Sequence, residues 1–544
     1  MYLTKRLLLL LLPLFLLAGC NRQEAAAPAG QLPAVTATPV SGDTILQGSS
    51  GDATTFLPVL ASDSASSEVN ELVYNGLVRY DKNLQYQGEL AESWEISPDN
   101  LVITFHLRKG VKWHDGAPFT AEDVLFTYQT YIDPQVPTAY AENYRQVDKV
   151  EILDPLTLRV SYKKPLAQAL ISWGVSIMPK HLLAGQVLTK SPLASAPVGT
   201  GPYRFVEWKR GEKIVLAANP DYFEGRPHID RVVFRIIPDE STMFLELKAG
   251  GIDMMGLTPL QYARQTESPE FIKAFGKYRY PAFAYTYLGY NLNRPLFQDK
   301  RVRQALAHAI DKREIIDGVL LGLGQEATGP YKPGTWPHNP TVRRYDYDPA
   351  KARELLAAAG WKDSDGDGIV DQNGQPFAFT IVTNQGNDQR SKAGEIIQRR
   401  FREVGVDVKL RVVEWASFLK EFINPGKFDA TILGWTVPID PDGYNVWHSS
   451  KTRPGELNFI GFRNAEVDTL LEQGRRTLDQ GARKKAYDRL QEILADEQPY
   501  TFLYVPDALP VVAARFHGIE PAPAGISHNF IRWHVPKSEQ KYLQ

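Results

Sequence analysis

The sequence predicts an α/β protein built from more than one lobe, and three observations carry that reading. Residues 377–412 alternate strand, helix and strand: Phe377 to Val382 is apolar and β-prone, Ile396, Ile397, Phe401 and Val404 form one helical stripe, and Val406, Val408, Leu410 and Val412 alternate. Such a unit packs as a crossover in a parallel sheet. Capped helix starts recur along the chain. Finally, a 20-residue leader leaves 524 of the 544 residues, several times a typical domain.

The leader is an export signal. Lys5 and Arg6 precede an unbroken apolar run from Leu7 to Leu17, too short to cross a bilayer. It ends in Leu17-Ala18-Gly19-Cys20, which resembles the bacterial lipobox, whose cysteine is lipidated and becomes the mature N-terminus; the alternative is an ordinary signal peptide with an incidental cysteine. Cys20 is the only cysteine, which excludes an intrachain disulfide framework and any multi-cysteine metal site. Residues 21–43, rich in Ala, Pro, Gly, Gln and Thr, read as a flexible tether. Removing Lys5 and Arg6 from 61 basic residues leaves 59 against 63 acidic ones, a net charge of about −4. That balance argues against a nucleic-acid binder, and no second apolar stretch suits a membrane span. The expected location is extracytoplasmic, on a lipid anchor.

Along the body, residues 44–48 read as a strand, followed by a loop and a helix near Ser66 to Leu77. Leu101 to Leu107 alternates like a half-buried strand. Thr120 and Asp123 form a capping box ahead of Val124, Phe126 and Tyr128. Asp299 caps a helix with Val302, Ala305, Leu306, Ala309 and Ile310 on one face. Asp348-Pro349 opens another, which carries Ala352, Leu355 and Leu356 and stops at Gly360. After the strand–helix–strand unit, a helix around Phe418 to Phe422 leads to a strand over 429–433.

That strand runs into Gly434-Trp435-Thr436-Val437-Pro438-Ile439-Asp440-Pro441-Asp442-Gly443. Ligands of open α/β sheets bind beyond the carboxyl ends of strands. A large aromatic and two carboxylates at such an end make this the best site candidate in the chain.

The order of motifs resembles one family. Leu90-Ala-Glu-Ser-Trp94, Trp113-His-Asp-Gly116, Phe119 through Val124, Gly199-Thr-Gly-Pro-Tyr203, Asn219-Pro-Asp-Tyr222, Arg301 through Leu306 with Ile310-Asp311, and Asp348 through Arg353 with Gly360-Trp361 together look like family five solute-binding proteins. These are the oligopeptide, dipeptide and nickel receptors of ABC importers. The resemblance implies a periplasmic-binding-protein-like type II fold (cluster C), with two lobes around a hinge and an extra inserted domain. Carried onto this chain, it implies a first lobe from 44–78, 198–280 and 500–536, an insert at 79–197 and a second lobe at 281–499. It further implies a monomer that captures a short peptide and delivers it to a permease pair with cytoplasmic ATPases. An oligosaccharide, opine or metal chelate is the alternative ligand, and an extracytoplasmic hydrolase the remote alternative.

In many peptide receptors of the family an aspartate three residues after the tryptophan pairs with the peptide's α-ammonium. Here Pro438 stands at that place, so the role is expected to pass to Asp440 or Asp442, unless their segment is only a turn. Trp435, Tyr444, Trp447 and His448 are candidate walls of the ligand site, or core aromatics. In the first lobe Ser49, Ser50, Ser64 and Ser66 stand where family members expose backbone groups to the ligand; capping of local loops is the other reading.

A separate loop, Asp363-Ser-Asp365-Gly-Asp367-Gly368-Ile-Val-Asp371, places oxygen ligands at positions 1, 3, 5 and 9 of a calcium loop with glycine at 6. Position 12 is Gly374 where an EF-hand needs glutamate. A structural Ca²⁺ on Asp363, Asp365, Asp367 and Asp371 is therefore an expectation for the first half of the motif only. No catalytic motif appears: the chain lacks G-x-S-x-G, a P-loop, H-E-x-x-H and a cysteine nucleophile.

Overall fold

The computed structural model describes residues 39–542. The export signal, Cys20 and residues 21–38 of the predicted tether lie outside them. The last five tether residues are a correction. Asp43 is 2% exposed and ion-paired to Arg515, and the Gly42 N–H donates to the His228 carbonyl at 2.8 Å. A buried charge has to be paired, so the folded body begins by residue 42.

Two seven-stranded mixed sheets dominate the architecture. The first runs in the order Phe275–Lys277, Pro510–Ala513, Met254–Gly256, Thr44–Ser49, Arg231–Ile236, Lys213–Ala218, Tyr203–Lys209. The second runs Tyr280–Pro281, Tyr500–Ala508, Ala284–Tyr290, Ala430–Thr436, Ala378–Asn384, Asp407–Val413, with Gly324–Glu326 added to Tyr500–Ala508. A four-stranded antiparallel sheet, Ala91–Ile96, Val102–Leu107, Thr157–Tyr162, Val147–Asp154, forms a third module.

The sequence pattern explains the second sheet. Ala378–Asn384 and Asp407–Val413 pair in parallel, with the helix Asp388–Arg402 between them. Ile397 and Phe401 of that helix are wholly buried. Ala430–Thr436 joins Ala378–Asn384 in parallel and Ala284–Tyr290 antiparallel. Its strand extends past the predicted end at 433, because Trp435 pairs with Tyr285 in the ladder. The predicted helix at 418–422 is a π turn, Phe418–Ile423, after a short helical start at Trp415–Ser417.

Core packing divides the molecule unevenly. One apolar cluster serves both the first sheet and the four-stranded module, joining Ile45 and Val232 to Phe105 and Val160. The second sheet has its own clusters on its two faces, one around Leu288, Ile381 and Ile432, the other around Tyr287, Leu433 and Phe502. The chain passes between the large sheets twice, at 278–279 and at Leu509. These passages run side by side: Tyr278 N–H donates to Pro510 O at 2.9 Å, Ala282 N–H to Pro506 O at 3.1 Å, and Arg279 pairs with Asp507 at 2.7 Å. Tyr500–Ala508 belongs to the second sheet, which corrects the predicted return to the first lobe at 500. Its antiparallel partner, Ala284–Tyr290, lies more than 200 residues upstream, so no local pattern marks the crossing.

Candidate functional site

The predicted site loop leaves the end of Ala430–Thr436 and is fastened from several sides. Trp435 is half-buried; its Nε1–H donates to Tyr500 Oη at 3.3 Å and its ring lies 5.9 Å from Phe459. Further on, the Pro441 carbonyl accepts the Tyr331 hydroxyl at 2.8 Å.

The two carboxylates of the loop are not open to a ligand's ammonium. Asp440, 8% exposed, accepts Arg483 Nη2 through both oxygens at 2.8 and 2.9 Å, and Gln168 Nε2 at 2.9 Å. Asp442 pairs with Arg475 at 2.6 Å, with both side chains buried. Buried carboxylates this close to guanidinium groups are neutralised where they stand. The expectation that one of them holds a peptide terminus is corrected on that ground.

The aromatic candidates separate. Trp447 is 1% exposed and packs on Tyr500 at 4.7 Å, with Phe462 and Phe502 just beyond 6 Å; it is a core residue, not a wall. Tyr444 and His448 stack on each other at 4.1 Å, with the Arg475 guanidinium 3.9 Å from the Tyr444 ring centre. Both are buried, and His448 Nδ1 is bonded to Ser450 Oγ at 2.8 Å. Both therefore brace the loop and are removed from the ligand wall.

On the first sheet, Ser66 is fully buried. Its hydroxyl donates to Asp63 Oδ2 at 2.7 Å and accepts Thr54 N–H at 3.0 Å, which ties the 54–55 loop to the helix Ser64–Val73. That is a capping role, and the ligand role is corrected. Ser49 Oγ bonds the Gly51 carbonyl at 2.8 Å. Ser50 and Ser64 are exposed. Ser50 instead comes close to the second sheet: a Cβ added at Gly386 would sit 3.3 Å from its carbonyl and 2.9 Å from that of Pro238. A Cβ added at Gly51 would likewise sit 3.5 Å from the Trp415 ring.

The Glu240 carboxyl joins this contact by accepting the Asp388 backbone N–H at the start of the helix Asp388–Arg402. Its Oε2 is buried without a partner, and burial, with Asp388 beside it, lifts the acid to about 7. The ends of the two sheets thus touch through Ser50, Gly51, Pro238 and Glu240 on one side and Gly386, Asp388 and Trp415 on the other.

The sequence resembles known proteins over almost its whole length. The pattern of bacterial extracellular solute-binding proteins, family 5 (middle region), matches residues 85–456. The chain is a member of that family. It is 34% identical over 543 residues to the oligopeptide-binding protein AppA of Bacillus subtilis (strain 168), covering 97% of this chain and 98% of that one. The fold matches that of AppA from Bacillus subtilis in complex with a nonapeptide at a TM-score of 0.87, with 33% identity over 92% of this chain and all of the other. NikZ from Campylobacter jejuni in complex with Ni(L-His) follows at 0.83, with 30% identity over 90% and 99% of the two chains. DppA from Helicobacter pylori in complex with the peptide STSA follows at 0.82, with 30% identity over 92% and 99%.

The chain therefore has the two-lobed type II fold of family 5, and its two large sheets approach each other at the contact just described. Two acidic residues that sequence reasoning passed over stand on the helix Ser64–Val73. Glu68 and Glu71 are open to water yet crowded enough that burial raises both acids, Glu68 to about 7 with help from Glu71 and Asp63, and Glu71 with help from Glu89. Protein thus crowds both carboxylates although water still reaches them. Neither has a cationic partner among the described residues; Gln47 Nε2 donates to Glu68 at 3.5 Å. Tyr80 and Tyr86 place their rings 5.2 Å apart on the hairpin Val78–Tyr80/Tyr86–Gly88. A helical i, i+3 acidic pair was the available signal, but such a pair on an exposed helix face is by itself unremarkable.

The Glu68 shift has a measurable sign. Between the ordinary value of 4.5 and about 7 the folded chain keeps a proton that the unfolded chain has released. This group therefore lowers stability as pH rises through that window, and the loss is complete above it. Glu68→Gln, neutral throughout, is expected to match the parent near pH 5 and to exceed its Tm by roughly 1–3 °C at pH 8. A difference that stays flat between those pH values counts against an enclosed Glu68.

Proposed function

We propose that this protein captures a short peptide in the water-filled space between its lobes and presents it to the permease pair of an ABC importer. The observation that carries this reading is the match over 92% of this chain and all of the AppA chain that was solved with a nonapeptide. The interlobe contact supports hinge closure about the paired passages at 278–282 and 506–510. We assign 44–78, 198–280 and 510–536 to the first lobe, 79–197 to the insert and 281–508 to the second lobe. Glu68 and Glu71 supply the countercharge for the peptide's ammonium that Asp440 and Asp442 cannot, and Trp435 offers a half-buried apolar face. Binding free energy shifts open and closed populations rather than lowering a chemical barrier.

Mass spectrometry of ligand released from the purified protein, followed by calorimetric titration with the peptide found, tests the proposal. Peptides are expected, and Glu68→Gln with Glu71→Gln is expected to weaken binding about tenfold, roughly one charge-assisted hydrogen bond. A sugar, opine or metal chelate recovered instead overturns the peptide reading.

Attachment through a lipidated Cys20 is part of the same proposal; Cys20→Ala is expected to release the chain from membranes. A second, structural proposal concerns calcium. Asp363, Asp365 and Asp367 bring one carboxylate oxygen each within 4.8 Å of one another, a set that fits a hard cation. Asp371 departs from the predicted set: its Oδ2 accepts Ser364 N–H at 2.9 Å and Ser364 Oγ–H at 2.5 Å, which turns it to its own loop. Calcium at about a hundredfold excess over its Kd is expected to stabilise the fold by about 2.7 kcal/mol, and Asp365→Asn to remove the response. Identical melting in calcium and in chelator sinks this assignment.

A further inference from the structure

The second lobe touches the inserted module as well as the first lobe, and the character of that seam differs from the rest of the molecule. Among the described residues no apolar cluster spans it: the module shares its core with the first lobe, and the second lobe packs on its own. Three polar contacts cross it among the described residues. Gln168 donates to Asp440 at 2.9 Å, the Glu142 carboxylate lies 3.5 Å from Lys451 Nζ, and the Ala167 N–H donates to the Arg475 carbonyl at 2.6 Å.

Each charged member also has a partner on its own side. Asp440 keeps Arg483, at 2.8 Å. Lys451 keeps Glu456 at 3.8 Å, and Glu142 keeps Arg145 at 3.6 Å. Pulling the seam apart therefore strands no unpaired charge, whereas an ordinary buried ion pair split in two leaves a costly orphan. The amide of Gln168 and the Ala167 N–H pass to water, close to an even exchange. A seam without apolar glue, whose charges are held from behind, can open and close at small free-energy cost.

We propose that this seam is a latch: Gln168 on Asp440, Glu142 on Lys451 and Ala167 on Arg475 set how much of the ligand-free protein stands closed. The proposal rests on hinge closure as read above and adds the residues that fix its equilibrium. It gives the Asp440 loop, expected from sequence to hold the ligand, the task of holding the inserted module. Ligands of every kind then share one bonus from the latch, because the competent closed fraction enters every apparent affinity alike.

The test uses the mature chain with Cys20→Ser and spin labels at Lys149→Cys on the module and Arg453→Cys on the second lobe, both exposed. Distances are measured by pulsed electron resonance with and without a tryptic peptide digest as probe. Glu142→Gln, Gln168→Ala and the pair are compared with the parent; since neither change orphans a charge, all are expected to fold with similar Tm. In the double variant the ligand-free population at long distance is expected to rise about fivefold or more, while the digest still restores the short distance. If the digest shortens the distance in the parent but the double variant leaves the ligand-free distribution unchanged, the latch is refuted and closure stands. If the digest changes the distance in no variant, closure itself fails, and the latch with it.

Discussion

Arg515→Met is expected to destabilise the protein by about 3–5 kcal/mol, the range for removing one partner of a buried ion pair. The guanidinium sits between two carboxylates that water barely reaches: Asp43 is 2% exposed and Asp253 1%. It pairs with both, at 2.8 Å for Asp253, and donates to the Thr44 carbonyl at 3.0 Å. Asp43 in turn accepts the backbone N–H of Lys541 at 3.2 Å and of Tyr542 at 3.0 Å. One cluster thus pins the first strand of the fold to its last residues.

Without the cation, two desolvated negative charges face each other. Burial already raises the Asp253 acid, and Arg515 is what holds it down. In the variant that acid rises further, so part of the lost stability is expected to return as pH falls and Asp253 takes up a proton. Adding Asp43→Asn and Asp253→Asn removes the stranded charges and is expected to recover a large part of the loss. Urea unfolding followed by tryptophan fluorescence measures these differences. A loss under 1 kcal/mol, or no recovery in the triple variant, contradicts the account.

How much of this was legible in the sequence depends on the range of the contact concerned. The strand–helix–strand unit at 378–413 was readable because its periodicities are local, and so was the box at Thr120, whose N–H donates to Asp123 at 3.0 Å. The position of Trp435 at a strand end was readable for the same reason. What filled the space around that strand end was not. Arg475 and Arg483 come from a helix pair, Ala465–Arg476 and Gln480–Glu497, that folds back on the loop more than 30 residues later. Nothing local distinguishes those arginines from the surface arginines beside them.

Trp447 and Tyr444 illustrate the same limit. An aromatic near a site loop looks the same in sequence whether it faces a ligand or Tyr500. Ser66 was ambiguous for a related reason: a short polar residue serves a cap and a ligand equally well, and its full burial decides for the cap. The first-lobe boundary failed at Tyr500–Ala508 because hydrophobic strands carry no label for the sheet they join.

Gly386→Ala is expected to lower affinity for the captured ligand about 10- to 100-fold, with little loss of binding capacity at saturation. Gly386 has φ +86°, and a Cβ there meets the Pro238 carbonyl oxygen at 2.9 Å and the Ser50 carbonyl at 3.3 Å. Both are backbone atoms of the opposite lobe, so neither can swing aside as a side chain would. The added methyl separates the lobes at their closest approach and leaves the open form untouched. About 1.4–2.8 kcal/mol lost from the closed form alone gives that range, since each 1.4 kcal/mol is tenfold in affinity.

The left-handed backbone complicates the variant, because alanine at positive φ is strained in open and closed forms alike. Gly334→Ala separates the two effects. Gly334 has φ +82° and no atom within 4 Å of an added Cβ. It is expected to lose a similar 1–2 kcal/mol of stability and no affinity. Calorimetric titration of both variants with the co-purified ligand, beside their melting curves, distinguishes strain from steric block. Equal affinities for the two variants place the Gly386 contact outside the motion that closes the lobes. A loss at Gly386 alone means that two carbonyl oxygens and a missing side chain set how tightly this receptor shuts.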